Sequence, residues 1–239
     1  MPKQARYAIY LAPKPQSALW QFGSAVLGYD AATGLDVTGF RLPSMPEEPW
    51  LKATARARAY GFHATLKVPF RLVDGLNEQA LIQGLQAFAG TQIAIPEMPL
   101  QLAVLDETDV GGFLALVPEE PYRNLRDLEA ATVKNLDHFR APLTEDELGK
   151  RNPAGLSARQ AKYLADYGYP YVLDEFRAHF TLSDRLINAA LLKTELNDLL
   201  IGHVGAASIT IDELVLFKQP LPDQRFCIIA RAPMGAKPL

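Results

Sequence analysis

Apolar and polar positions alternate with two periods along the chain, and the switches between them mark the elements. Arg6 to Ala12 (RYAIYLA) alternates as a strand does, and Pro13 and Pro15 end it. Ser17 to Leu27 repeats its apolar residues at helical spacing, with Ser17 placed to cap it and Gly28 to close it. The same reading predicts helices over Glu47–Tyr60, Asn77–Gly90, Pro121–Phe139, Ser157–Tyr167 and Asn188–Leu200. Strands are predicted at GFHATLKVPF (61–70), Leu100–Asp106, Gly112–Val117, FRAHFTLSDR (176–185), Ser208–Phe217 and Arg225–Ala232. The polar stretch from Arg140 to Gly155 reads as a loop.

One pattern occurs twice. His63-Ala64-Thr65-Leu66 and His179-Phe180-Thr181-Leu182 share His-x-Thr-Leu, and a helix and further strands follow each copy. Two copies of one unit carrying the same polar pair predict two lobes related by a pseudo-twofold axis. Side chains alternate along a strand, so His63, Thr65 and Lys67 are expected on one face and Phe62, Ala64, Leu66 and Val68 on the other. In the second copy Arg177, His179, Thr181 and Ser183 share the polar face. A polar face backed by a continuous apolar one suits a lined cleft. A lone histidine on a strand is usually structural; two in matching tetrapeptides point to chemistry. His138 and His203 have no such context and read as structural or exposed.

Imidazole titrates near neutral pH, so one of a facing pair can take a proton from a nucleophile while the other gives one to a leaving oxygen. Threonine hydroxyls two residues along can donate to the non-bridging oxygens of a phosphate, and Lys67 and Arg177 would add positive charge. No His-x-x-x-His or His-Glu-x-x-His occurs, and no Walker-type loop, Gly-x-Gly-x-x-Gly or Gly-x-Ser-x-Gly. Neither a metal nor any other cofactor is therefore expected.

Composition narrows the setting. The 239 residues suit one domain of two lobes, with motif strands near 62–69 and 176–183. No run approaches the length of a membrane span, and the N-terminus lacks a signal-peptide pattern, so a soluble protein is expected. A single cysteine, Cys227 in the apolar run FCIIA, can form neither an internal disulfide nor a multi-thiolate zinc site, which fits a reducing cytoplasm. The net charge of −3 argues against long nucleic acid as a partner and leaves a small anionic ligand open. The local basic stretch Lys52 to Arg58 reads as the solvated side of a helix.

The paired motifs resemble the 2H phosphoesterase superfamily, which includes 2′–5′ RNA ligase-like proteins and cyclic phosphodiesterases. Longer stretches are similar to one branch of it, the DUF1045 putative phosphonate-metabolism proteins: RYAIYLAP, LWQFGSAVLG, YGFHATLKVPF, GGFLALVP, FRAPLTEDEL, GYPYV and EFRAHFTLSDR. The resemblance implies an α+β fold, with antiparallel sheets lining a central cleft and helices outside. It implies His63 and His179 as catalytic acid and base, Thr65 and Thr181 as phosphate-binding hydroxyls, and no metal. Arg6, Tyr60, Lys67, Tyr171 and Arg177 lie beside the motif strands and are the candidate substrate-binding residues. The implied activity is hydrolysis of a small cyclic phosphate ester in phosphonate breakdown, with a functional link to carbon–phosphorus lyase enzymes. The competing expectations are an enzyme acting on 2′,3′-cyclic or 2′–5′ RNA ends and a non-catalytic phosphate-binding module.

Overall fold

The computed structural model describes residues 4–152 and 155–235. Its centre is an eight-stranded sheet built from β1 (Arg6–Leu11), β4 (Ala64–Phe70), β5 (Ile95–Thr108), β6 (Gly111–Pro118), β7 (Phe180–Thr181), β8 (Ser208–Ile211), β9 (Glu213–Gln219) and β10 (Cys227–Pro233). The spatial order is β10-β9-β1-β4-β7-β6-β5-β8, with antiparallel pairing throughout. β2 (Tyr29–Asp30) and β3 (Leu35–Asp36) form a separate small ribbon. The helices are α1 (Ala18–Leu27), α2 (Glu47–Ala53), α3 (Ala55–Tyr60), α4 (Glu78–Ala89), α5 (Arg123–Asn135), α6 (Glu145–Arg151), α7 (Ala158–Tyr167) and α8 (Ala189–Val204). The two expected halves thus share one sheet, and the motif strands β4 and β7 lie side by side at its middle. No helix among the described residues is long and apolar enough to cross a membrane.

Local chemistry explains the elements that position the site. The Ser17 hydroxyl accepts from the Trp20 amide at 3.1 Å to start α1, and Gly28 ends it in the left-handed region at φ 69°. α1 lies close over the sheet because Gly23 has no side chain: a Cβ there would stand 2.2 Å from the Phe62 ring. Phe62, Ala64, Leu66, Phe180 and Leu182, the apolar residues of both motif copies, are all buried in the core.

Several elements depart from the sequence pattern, each for a visible reason. The helix expected over 47–60 breaks at Thr54, whose buried hydroxyl donates to the Trp50 carbonyl at 3.0 Å. Arg58 is not simply solvated: its guanidinium donates to the carbonyls of Leu27 and Leu51, near the C-terminal ends of α1 and α2. The helix expected to reach Phe139 ends at Asn135 and continues as a short 3₁₀ turn over Asp137–Phe139. The expected 140–155 loop contains α6, started by a capping box in which Thr144 and Glu147 satisfy each other's backbone amides. The strand expected over 208–217 divides around Asp212, because β8 pairs with β5 and β9 pairs with β1. The second motif strand shrinks to Phe180–Thr181.

Candidate active site

The site follows from one register. β4 and β7 pair antiparallel with Ala64 opposite Phe180, the residue after each motif histidine. Antiparallel register then puts His63 across from Thr181 and Thr65 across from His179, on the face opposite the buried apolar one. A local twofold axis passes between Ala64 and Phe180, and all four motif residues stand around it.

Both imidazoles are oriented alike. His63 Nδ1 lies 2.8 Å from the carbonyl of Gly61, and His179 Nδ1 lies 2.8 Å from the carbonyl of Arg177, each two residues upstream. A carbonyl only accepts, so each Nδ1 carries hydrogen and each Nε2 is left for chemistry. In the first copy Nε2 accepts from the Thr65 hydroxyl at 3.2 Å. Gly61 is required there: its φ is 77°, and a Cβ would meet Ala31 Cβ at 2.5 Å.

The surroundings of the two rings differ. Tyr10 of β1, paired with Thr65, stacks on His63 with centroids 3.7 Å apart and planes 20° from parallel. Burial lowers the His63 pKa to about 4; the nearby charge of His179 works in the same direction and the Gly61 carbonyl against it. His179 has Phe113 of β6 beside it, tilted, at 5.7 Å.

The sequence-predicted binding residues divide. Tyr60 lies 6.2 Å from His63 and stacks on Phe226 at 5.2 Å. Arg6 lies on the Tyr10 face of β1, 5.6 Å over Phe226. Tyr171 is 43% exposed and edge-on to Tyr169 at 5.6 Å. Arg177 contributes its carbonyl, while its residue surface is exposed. Lys67 does not join them. An irregularity in the β1–β4 ladder pairs Thr65 with Tyr10 but Lys67 with Ile9, so period two fails between them and Lys67 is turned away. Its side chain is 3% exposed, and its ammonium sits 2.7 Å from Asp137, which Arg140 also holds at 2.8 Å. Burial lowers its pKa in spite of that carboxylate. His138 and His203 donate from Nδ1 to the nearby carbonyls of Asn135 and Leu199.

Sequence reasoning missed Tyr10, Gly61, Gln219 and Arg151. Tyr10 was findable, being four residues from Arg6 on an alternating strand. Arg151 lay in the stretch read as loop, though the T-x-x-E sequence from Thr144 announces a helix. Among the described residues no group of three His, Cys, Asp or Glu stands close enough to hold a metal.

Two curated relatives carry the name ribose 1,5-bisphosphate phosphokinase PhnN. The one from Janthinobacterium sp. (strain Marseille) is 38% identical over 240 residues, covering 97% of this chain and 51% of its own. The one from Laribacter hongkongensis (strain HLHK9) is 39% identical over 181 residues, covering 76% and 40%. The chain thus spans about half the length of the curated relatives it matches. Among solved structures, Escherichia coli LigT complexed with NADP+ aligns over 98% of this chain and 99% of its own, at 12% identity and TM-score 0.43. Kluyveromyces marxianus Usb1 aligns over 97% and 99%, at 12% identity and TM-score 0.35. The family model described as "Protein of unknown function (DUF1045)" matches residues 65–227, from Thr65 of the first motif through the whole of the second. This chain belongs to the DUF1045 family.

Proposed function

We propose that the protein is a metal-independent phosphodiesterase that opens a small cyclic phosphate by two-histidine acid/base catalysis. The observation that carries this reading is the Ala64–Phe180 register, which sets two His–Thr pairs around one axis on a polar face. A phosphate seated on that axis would draw the Thr65 hydroxyl away from His63 Nε2, freeing that nitrogen. A Thr hydroxyl from each strand then meets its non-bridging oxygens, and an imidazole Nε2 lies on either side. His63, kept neutral by burial, is the base: its Nε2 takes a proton from water as the water oxygen bonds to phosphorus. His179 is the acid: its Nε2–H passes to the ester oxygen as that P–O bond breaks. The product is an open phosphomonoester with a freed hydroxyl, and solvent exchange restores both imidazoles. The substrate's own negative charge offsets the low pKa of His63 by favouring its protonated form.

The relatives' names support a ribose phosphate as substrate. A nucleotide-dependent kinase of the Walker type needs a phosphate loop that this sequence lacks, so the kinase name belongs to the part of those relatives outside the matched half. Two units joined in one polypeptide, one named for ribose 1,5-bisphosphate, favour a ribose ring bearing the cyclic diester, and the phosphonate-breakdown setting fits the same branch. Phosphorus NMR tests the reaction. Wild type with ribose 1,2-cyclic phosphate or a nucleoside 2′,3′-cyclic phosphate, in excess chelator, is expected to convert the ribose compound. His63→Ala and His179→Ala are each expected to lose about 10²–10⁴ in rate. Near-normal turnover in either variant, or loss of wild-type turnover with chelator, would overturn the mechanism.

A further inference from the structure

A pair of arginines without carboxylate partners stands beside His63. Arg6 and Tyr10 lie on the same face of β1. The Arg6 guanidinium donates twice to Gln219 Oε1, at 2.8 and 2.5 Å, and rests over Phe226. Gln219 is 4% exposed, and its amide nitrogen donates to the Gln224 carbonyl at 2.6 Å, which turns its oxygen toward Arg6. Arg151, the last residue of α6, reaches the same region from the other side. It donates to the Gly168 carbonyl at 2.9 Å and to the Pro69 carbonyl at 2.6 Å, next to the Tyr7–Phe70 pair of β1 and β4.

A guanidinium has five N–H donors, so each arginine keeps three after its contacts with neutral oxygens. Among the described residues no carboxylate lies within ion-pair distance of either one. Glu147, the acid nearest Arg151 on its helix, is engaged by Arg71 at 2.9 Å and by the Thr144 amide. Burial lowers the Arg151 pKa against the attraction of Glu147, and the Arg6 charge adds to the lowering, so the two cations are near enough to oppose each other. A dianion between them would remove that repulsion and take up the free donors. The walls are aromatic, with Tyr60 stacked on Phe226 and Tyr169 following Gly168. His63 is adjacent through Tyr60 and Tyr10.

We propose that Arg6 and Arg151 form a subsite for a second phosphate of the substrate, one that is not cleaved. The pair would select a sugar that carries a phosphomonoester apart from its cyclic diester. This rests on the phosphodiesterase reading above, and the test separates the two.

The kinetic arm compares kcat/KM for ribose 1,2-cyclic phosphate with and without a phosphate on carbon 5. Wild type is expected to prefer the 5-phosphorylated compound, and Arg6→Gln and Arg151→Gln are each expected to cut that preference about 10- to 100-fold. Arg6→Lys should restore part of it. The binding arm titrates ribose 5-phosphate and ribose onto wild type and onto Arg6→Gln by calorimetry, and needs no turnover. Ribose 5-phosphate is expected to bind wild type and to weaken at least about 10-fold in Arg6→Gln. Arg151→Gln strands two carbonyls and can unfold the α6 region, so Arg6→Gln with an unchanged Tm is the deciding variant. Equal losses on both cyclic substrates, or ribose 5-phosphate binding that Arg6→Gln leaves untouched, would overturn the subsite. Absence of any turnover beside intact, arginine-dependent binding would instead overturn the phosphodiesterase reading alone.

Discussion

The two motif copies share three residue types, one backbone hydrogen bond and one register, and they part company at the strand next door. The residue paired with Thr65 is Tyr10 of β1, whereas the residue paired with Thr181 is Ala115 of β6. Burial lowers the His63 pKa to about 4, and the Tyr10 phenol stacked on the ring is part of that cover. Beside the second copy the same place holds the Ala115 methyl group, with the Phe113 ring tilted 5.7 Å from His179. The copies are also anchored differently. The first continues into a seven-residue strand with neighbours on both sides, while the second is a two-residue strand at the end of a coil. That coil is tied down upstream by the buried Glu129, which accepts from the Leu173 amide at 3.0 Å. Repeated sequence therefore yields two imidazoles in unlike surroundings, because the strands that flank them lie outside the repeat.

The sharpest way to break this comparison is to remove one hydroxyl at a time. Thr65→Val and Thr181→Val are each expected to lose about 10²–10³ in kcat, the cost of one donor to developing phosphate charge. Equal losses place the phosphate on the local axis; a loss confined to one side would sink the symmetric seat.

Exchanging a flanking residue sharpens it next. Tyr10→Ala re-exposes His63 and is expected to raise its pKa from about 4 toward 6.5, moving the acid limb of the pH–rate profile up by as much as about two units. NMR titration of the imidazole C–H resonances reads it, and an unmoved His63 in Tyr10→Ala would show that the stacked ring is not the cause.

The smallest effect concerns the anchor of the second copy. Glu129 is 1% exposed, and burial raises its pKa to about 7. The native state thus binds a proton that the unfolded chain releases near 4.5, so stability is highest below that pH and falls as pH rises toward 7. Glu129→Gln keeps an acceptor for Leu173 and loses the charge. It is expected to flatten that slope and to exceed wild type above pH 7 by on the order of 1–3 kcal/mol. Urea midpoints at pH 5 and pH 8 check it, and a slope retained by the variant would assign the pH dependence elsewhere.

Much of this was legible in the chain. Strand alternation put His63 and Thr65 on one face and Phe62, Ala64 and Leu66 in the core, where they are found. Ser17, Asn77 and Ser157 announced their helices and cap them, each accepting from an amide three residues on. Other expectations failed where a neighbour overrode the local period. Lys67 followed Thr65 by two and belonged on its face until the ladder slipped at Ile9 and Tyr10 and an ion pair with Asp137 took it. The segment 176–185 has a strand's alternation, but only Phe180 has ladder partners on both sides, and Thr181 pairs with β6 alone. Arg151 was hidden by a polar stretch whose capping box outweighs its composition.

The sequence by itself determined the chemistry on offer: two His–Thr pairs, each on a strand with one polar and one apolar face, because side-chain period and residue type are local properties. Only the tertiary structure decided that the two strands are neighbours in a register that crosses each His with the other Thr. Only it decided that Tyr10 covers one imidazole, that Arg6 and Arg151 come near enough to repel, and that Lys67 does not arrive. Those are long-range pairings, and burial and charge depend on which surfaces the folded sheet brings together rather than on any residue's nearest neighbours in the chain.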